Sequence, residues 1–373
     1  MTLNDLTVSG LFVGCGGLDY GFKQAGFKHV WSNEWMPDAA ESYTALTGNN
    51  VVVGDIWDYL DQVPKTDIIV GGPPCQAFSL VGKRLEDDPR AKLVFAFKQV
   101  IEKVMPQVLV MENVPGITTS RIDGKRLHIH LAEEFTKMGY EISILKLTAT
   151  DFFVPQRRQR VLMIGHRIQG KTFELLTGTE FAKILGNTKL SAPISVSEAL
   201  DDLPLPAPKG FKGELSYLRS PHSAYSELMR ASGQQGVTLQ SMPTMSLLDA
   251  EFVKHIPPGG NYMSIPDSIS TQRIQNFKKT GGRTTTYGRL HADKPAYTIN
   301  TYFNRPNVGA NYHHREERLI TVREALRLQS FPDHFSPYYK SQRSLHMQVG
   351  NAVPPLMARA LAESVLNLFR GQK

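Results

Sequence analysis

LTVSGLFVGCGGLDYGF, residues 6–22, reads as an apolar strand, a glycine cluster and the opening of a helix. Gly14, Gly16 and Gly17 fall at the strand-to-helix turn, where the lack of Cβ lets main chain approach a ligand at a helix N-terminus. Many nucleotide-binding folds share that turn, so it decides the fold before it decides the ligand. Working outward, HVWSNE (29–34), NVVVGDI (50–56), TDIIVGG (66–72), QVLVMEN (107–113), YEISILKLTA (140–149) and RVLMIGH (160–166) read as further strands. Helical spacing separates them at 18–26, 37–46, 90–104 and 126–139. Strand–helix alternation of this kind predicts an α/β fold with a doubly wound, mostly parallel sheet.

The rhythm stops near residue 190. SAPISVSEALDDLPLPAPKG (191–210) is a proline-rich linker, and 211–318 scatters Gly, Pro, Asn and Thr among short runs. The expected organisation is 1–190 plus 335–373 as one domain and 191–334 as a smaller, loop-rich one. Closing helical spacing returns over 354–370.

Composition narrows the class. The 373 residues carry 41% hydrophobic and 21% charged side chains, as ordinary globular proteins do. Two cysteines make neither a disulfide framework nor a four-ligand zinc site, so no metal is expected. MTLNDLTVSG lacks the basic start and long apolar run of a signal peptide, and no apolar stretch nears the roughly 20 residues of a membrane span. A cytoplasmic protein away from membranes is expected. The net charge of +7 is uneven, because residues 1–190 hold 21 basic and 21 acidic side chains. The window 252–315 holds nine basic residues, two acidic ones and four histidines. It is either a solvated basic face or a surface for phosphates.

Two acids sharpen the ligand. Glu34 ends the second strand, 17 residues past Gly17, about where a carboxylate meets ribose hydroxyls in such folds, and Asp55 ends the third apolar run. No Lys-Ser or Lys-Thr pair follows the glycines, which argues against a phosphate-cradling loop. S-adenosylmethionine, with ribose and adenine but no phosphate, suits that set. GGPPCQAFSL (71–80) then places Cys75 on a turn stiffened by Pro73 and Pro74. Cysteine is usually a small buried hydrophobe, but a packing residue needs no such pedestal. MENVPGI (111–117) sets Glu112 at the C-terminal end of a strand, where open α/β sheets place chemistry. VPQRRQR (154–160), RLQSFPD (327–333) and QVGNAVPP (348–355) complete the series.

With FVGCGG, GGPPCQAFS, ENV, QRRQR and QVGNAVPP in that order, the chain resembles the bacterial DNA cytosine-5 methyltransferases of restriction–modification type. Only 191–318 lacks a fixed pattern, apart from a Thr-Ile pair in AYTINTY (296–302). The resemblance implies Cys75 as the nucleophile that attacks carbon 6 of cytosine and makes carbon 5 electron-rich. It implies Glu112 at ring nitrogen 3, Arg160 at the base's carbonyl oxygen with Arg158 nearby, and Asn113 and Gln156 as supports. The target base would have to leave the duplex. Phe12, Gly14, Gly16, Gly17, Glu34, Trp35, Asp55, Ile56, Leu93 and Asn351 match positions that contact S-adenosylmethionine in the family. Phe12, Ile56 and Leu93 are equally suited to a core.

Double-stranded DNA is the expected partner, with a restriction endonuclease acting on the same site as a possible second one, and a monomer as the active form. SLVGKRLEDDPR (79–90) resembles the family's loop that closes over DNA, which makes Ser79, Lys83 and Arg84 candidate contacts. In the basic window, Arg283 or Arg289 is expected to read a guanine, Lys278 and Lys279 to anchor phosphates, and Thr298 to belong to the threonine motif. An RNA methyltransferase of the two-cysteine class would need a second active-site thiol, and Cys15 is committed to packing under the glycine loop. The tRNA-modifying relatives carry a Cys-Phe-Thr motif that this chain lacks. A DNA-binding protein without catalysis would have no use for Cys75, Glu112 and Arg160 together.

Overall fold

The computed structural model describes residues 5–74, 89–122 and 124–370. Two compact units divide the chain. The first comprises 1–148, 159–177 and 355–373, the second 149–158 and 178–354.

The first unit is built on a seven-stranded sheet. Its strands are β1 (Thr7–Leu11), β2 (Lys28–Glu34), β3 (Val52–Val53), β4 (Ile68–Gly71), β5 (Val108–Asn113), β6 (Glu141–Thr148) and β7 (Gln159–His166), in the order 3-2-1-4-5-7-6. The first five run parallel, and β7 pairs antiparallel with both β5 and β6. The parallel strands are joined through helices: α1 (Gly17–Gln24) leads into β2, α2 (Pro37–Thr47) into β3 and α3 (Pro89–Val104) into β5. A fourth, α4 (Leu127–Lys137), precedes β6.

The period of two in the strands explains why both faces are covered. Ile69, Leu109, Met111, Val161 and Met163 point into one apolar cluster with Val94, Phe97 and Ile101 of α3 and Leu131 and Phe135 of α4. The alternate residues Ile68, Val70, Val108, Val110, Leu162 and Ile164 are also buried, outside that cluster. On α1, Gly21 lies so close to Ala358 of the closing helix Pro355–Phe369 that a Cβ would sit 2.5 Å from its main chain. Only glycine permits that approach.

In the second unit the helices are short. Phe252, Val253, Ile256, Tyr262, Ile265, Ile274, Tyr287, Tyr312 and Leu319 form one apolar cluster. Elsewhere the unit is held by buried charge. Arg327 is 0% exposed and bonds Asp202 and Asp333, while Arg318 grips Glu324 and Glu316.

The observed division differs from the expected 1–190 plus 335–373 against 191–334. Residues 149–158, 178–190 and 335–354 belong to the second unit. Tertiary bonds rather than rhythm decide it: Ala296 N–H donates to Pro155 O at 2.9 Å, and Arg157 N–H to Ala296 O at 2.8 Å. Among the described residues, no helix is long and apolar enough to cross a membrane.

Candidate active site

The glycine turn is held from below and open above. Gly16 caps α1 with φ 92° and Gly14 has φ 55°, both in the left-handed region that favours glycine. Among the described residues, a Cβ on Gly14 would meet nothing within 4 Å, whereas one on Gly16 would meet Tyr43 at 3.0 Å. Phe12, at the end of β1, takes φ 56° despite its side chain, a costly conformation that the surroundings must impose. Its ring packs on the core cluster. Beneath the turn, Asp19 of α1 is buried, 3.3 Å from His29, and Tyr43 OH lies 2.6 Å from Ser32 Oγ. Sequence reading missed Asp19, whose one signal is a carboxylate on an otherwise apolar helix face.

Glu34 reaches back to that turn from the end of β2. Gly14 N–H donates to its Oε2 at 2.8 Å and Met36 N–H to its Oε1 at 2.9 Å. Burial pushes its carboxyl up from the ordinary value, against the pull of the Met36, Gly14 and Trp35 main-chain donors. A carboxylate has lone pairs beyond these two bonds, so ribose hydroxyls can still donate to it. Trp35 beside it is 72% exposed. Asp55 is exposed and caps the turn Ile56–Asp58 by accepting from Trp57 N–H at 3.2 Å. Ile56 is buried and Leu93 half-buried, both packed in the core cluster. An open glycine cradle, a buried acid lining it and an exposed indole fit a nucleoside.

The second cluster lies at the ends of β4, β5 and β7. Glu112 and Arg160 are both buried, with Arg160 Nε 2.5 Å from Glu112 Oε1. A second Arg160 nitrogen donates to Gln159 O at 2.8 Å. Gly72 makes room for the acid, since a Cβ there would stand 2.9 Å from Glu112 Oε2. Asn113 Nδ2 donates to Pro73 O at 2.9 Å, and its Oδ1 accepts from Val114 N–H. The strand end that carries the acid therefore also fixes the proline turn before Cys75. Cys75, Ser79, Lys83 and Arg84 lie outside the described residues.

Several expected contacts have other work. Arg158 is 1% exposed and donates to Ile299 O at 2.9 Å and Gly350 O at 2.8 Å, so it anchors the second unit rather than joining Arg160. Gln156 is buried beside it and accepts from Ile299 N–H. Arg289 is buried and spends its guanidinium on the carbonyls of His313, Ile256 and Arg315, which removes it as a base reader. Lys278 is bound to Ile265 O and Asp267 and is not a free phosphate anchor. Arg283 and Lys279 are exposed. Thr298 is exposed and donates to Arg157 O at 2.9 Å. Asn351 ends the helix Gln342–Asn351, in the second unit.

Comparison with known proteins agrees with the mostly parallel sheet. The profile of the C-5 cytosine-specific DNA methylases matches residues 6–367, and the chain belongs to that family. It is 33% identical over 375 residues to the Type II methyltransferase M1.HphI of Haemophilus parahaemolyticus, covering 97% of this chain and 87% of that one. With M.DdeI of Desulfomicrobium norvegicum it shares 31% identity, over 96% and 88% of the two chains. A crystal structure described as a DNA modification methyltransferase encoded within a prophage (E. coli) superposes with a TM-score of 0.73 at 23% identity, over 98% and 99% of the chains. The protein is thus an enzyme that methylates carbon 5 of cytosine in DNA, with the mostly parallel sheet expected from its sequence.

Proposed function

We propose that the chain methylates one cytosine within a short duplex sequence through a covalent Cys75 adduct, with S-adenosylmethionine as the donor. The observation that carries this is the Glu112–Arg160 pair beside the Gly72–Pro74 turn. The two groups sit at the ends of neighbouring antiparallel strands, so one pyrimidine edge can meet both. Cys75 would add to carbon 6 as thiolate, and the displaced electron pair would move toward nitrogen 3 and the carbonyl oxygen. Glu112 would manage the proton at nitrogen 3, and Arg160 would hold the oxygen. Carbon 5 would then take the methyl group, and loss of its proton to solvent would restore the 5,6 double bond and expel the Cys75 thiolate from carbon 6. A base inside a duplex cannot offer carbon 6 and this edge together, so the cytosine must be flipped out.

The donor would lie over Gly14, Gly16 and Gly17, with Glu34 on its ribose and Phe12, Trp35, Asp55, Ile56 and Leu93 around the rest. When bound it supplies the methyl group. The first unit would carry catalysis and the second would choose the sequence. The chain would act as a monomer in the cytoplasm on double-stranded DNA, and a restriction endonuclease cutting the same site would be its natural counterpart.

The test is a trap. DNA with 5-fluorocytosine at the target should hold the wild type as a covalent adduct, since fluorine cannot leave as a proton does. Cys75→Ala should form none while still binding the donor. Undiminished adduct in that variant would refute the nucleophile.

A further inference from the structure

The segment 295–305, PAYTINTYFNR, satisfies its apolar demand early. Ile299 and Phe303 are each 1% exposed. The two remaining aromatics stand outward instead, with Tyr297 41% and Tyr302 49% exposed. Each ring carries a guanidinium: Arg157 Cζ lies 5.9 Å from the Tyr297 centroid and Arg305 Cζ 5.0 Å from that of Tyr302. Both arginines are themselves exposed. From 294 to 315 the chain holds no acidic residue, so nothing within the segment neutralises them.

The mount is stiff. Arg157 N–H donates to Ala296 O at 2.8 Å and Thr298 Oγ1 to Arg157 O at 2.9 Å, which fixes the first pair from both sides of Tyr297. Tyr302 N–H donates to Asn300 Oδ1 at 2.7 Å, Arg305 N–H to Tyr302 O at 2.9 Å, and Asn311 Nδ2 to Arg305 O at 2.8 Å. Behind them, Gly350 packs so tightly that a Cβ would sit 2.3 Å from Thr301 N. An aromatic face beside an exposed guanidinium is what a nucleotide requires, with its base on the ring and its phosphate on the cation.

We propose that Arg157–Tyr297 and Arg305–Tyr302 are stacking platforms for unpaired nucleotides of the substrate DNA. Duplex bases are stacked on their neighbours and cannot use them. The flipped cytosine goes to Glu112 and Arg160, but its partner is left without a mate and its neighbours without a stacking contact, and the platforms hold such bases. The inference deepens the reading of the chain as a base-flipping DNA enzyme and rests on it.

Fluorescence anisotropy with a labelled 15-nucleotide thymidine strand and a labelled 15-base-pair duplex of adenine–thymine pairs alone, which offers no cytosine to flip, separates stacking from charge. Stacking is worth about 1–3 kcal/mol per base, so Tyr297→Ala and Tyr302→Ala should each weaken single-strand binding roughly 5- to 150-fold. Tyr→Phe at either position should restore it, and duplex binding should change little. Arg157→Gln and Arg305→Gln should each lower the log-salt slope of single-strand binding by about 0.7. Alanine variants that bind the thymidine strand like wild type, or lose strand and duplex in equal measure, overturn the proposal. Methyl transfer by the wild type is scored separately. Its failure would sink the enzymatic reading, whereas loss of stacking alone leaves that reading intact.

Discussion

Arg160 Nε stands 2.5 Å from Glu112 Oε1, two buried groups of opposite charge on adjacent antiparallel strands. Neither strand end alone could recognise a base; the pair gives one edge a carboxyl and a guanidinium side by side. Arg160→Ala should lower the rate of methyl transfer about 10²- to 10³-fold at saturating donor, the usual cost of losing one donor to developing charge. It also leaves Glu112 buried without its partner, so stability should drop by about 3 kcal/mol. Single-turnover rates and thermal melts separate the two effects. An unaltered rate would remove Arg160 from the reaction.

Asn113 acts through Pro73, whose carbonyl it binds at 2.9 Å. Asn113→Asp keeps the shape but loses the donor, and should let the proline turn drift. Misplacing a reacting group by about 1 Å can cost around 100-fold in rate. The expected signature is a lower kcat and slower trapping by 5-fluorocytosine, with donor affinity unchanged. Weakened donor binding of the same size would instead mark a general loss of structure.

Glu34 is tied to the glycine turn by Gly14 N–H and to its own strand end by Met36 N–H. Glu34→Ala removes both the proposed ribose acceptor and a strut of the turn. A hydrogen bond to a charged group contributes about 1.5–3 kcal/mol, so affinity for S-adenosylmethionine should drop roughly 10- to 100-fold by calorimetry. Unchanged affinity would place the donor elsewhere.

The sheet was legible, and candidate groups at its strand ends could be named, because each depends on local pattern. Alternating Val, Ile and Leu mark β4, β5 and β7, and chemistry at strand ends follows from topology, which is how Glu34 and Glu112 could be singled out. The fate of an arginine is a different matter. Arg158 and Arg289 look like Arg160 and Arg283 in sequence, yet each was absorbed by carbonyls that other segments left unpaired, at Gly350 and Ile256 among others. Such carbonyls exist only once the chain has folded. The same holds for residues 149–158, where bonds to 296–299 carry a stretch of the first half of the sequence into the second unit.

That distinction sorts the basic window. Arg289→Ala strands three carbonyls, those of His313 and Ile256 buried, and should destabilise the second unit by about 3 kcal/mol, whatever the DNA. Arg283 is exposed and free of that duty, so Arg283→Ala should leave the melting temperature alone. If it reads a guanine, it costs about 1–3 kcal/mol at one base position only. Binding to single-base variants of the site decides. Uniform loss across all variants would move the reading residues elsewhere.

The pH dependence of stability offers a test that needs no DNA. His346 is 8% exposed, edge-on to Phe303 with ring centroids 4.8 Å apart, and burial lowers its pKa to about 4. In the unfolded chain a histidine titrates near 6.5. Between those values the unfolded chain takes up a proton that the folded imidazole refuses. Folded stability is therefore fully present above about pH 6.5 and is lost as pH falls toward 4, by up to about 1.4 kcal/mol per pH unit for this group. His313, lowered to about 4 chiefly by burial as well, adds a second loss of the same sign. His346→Gln cannot titrate, so its denaturation midpoint should fall less steeply than that of the wild type between pH 6.5 and 4.5. Urea titrations across that range supply the comparison, with parallel slopes for the two proteins as the result that would show His346 protonating freely in the folded state.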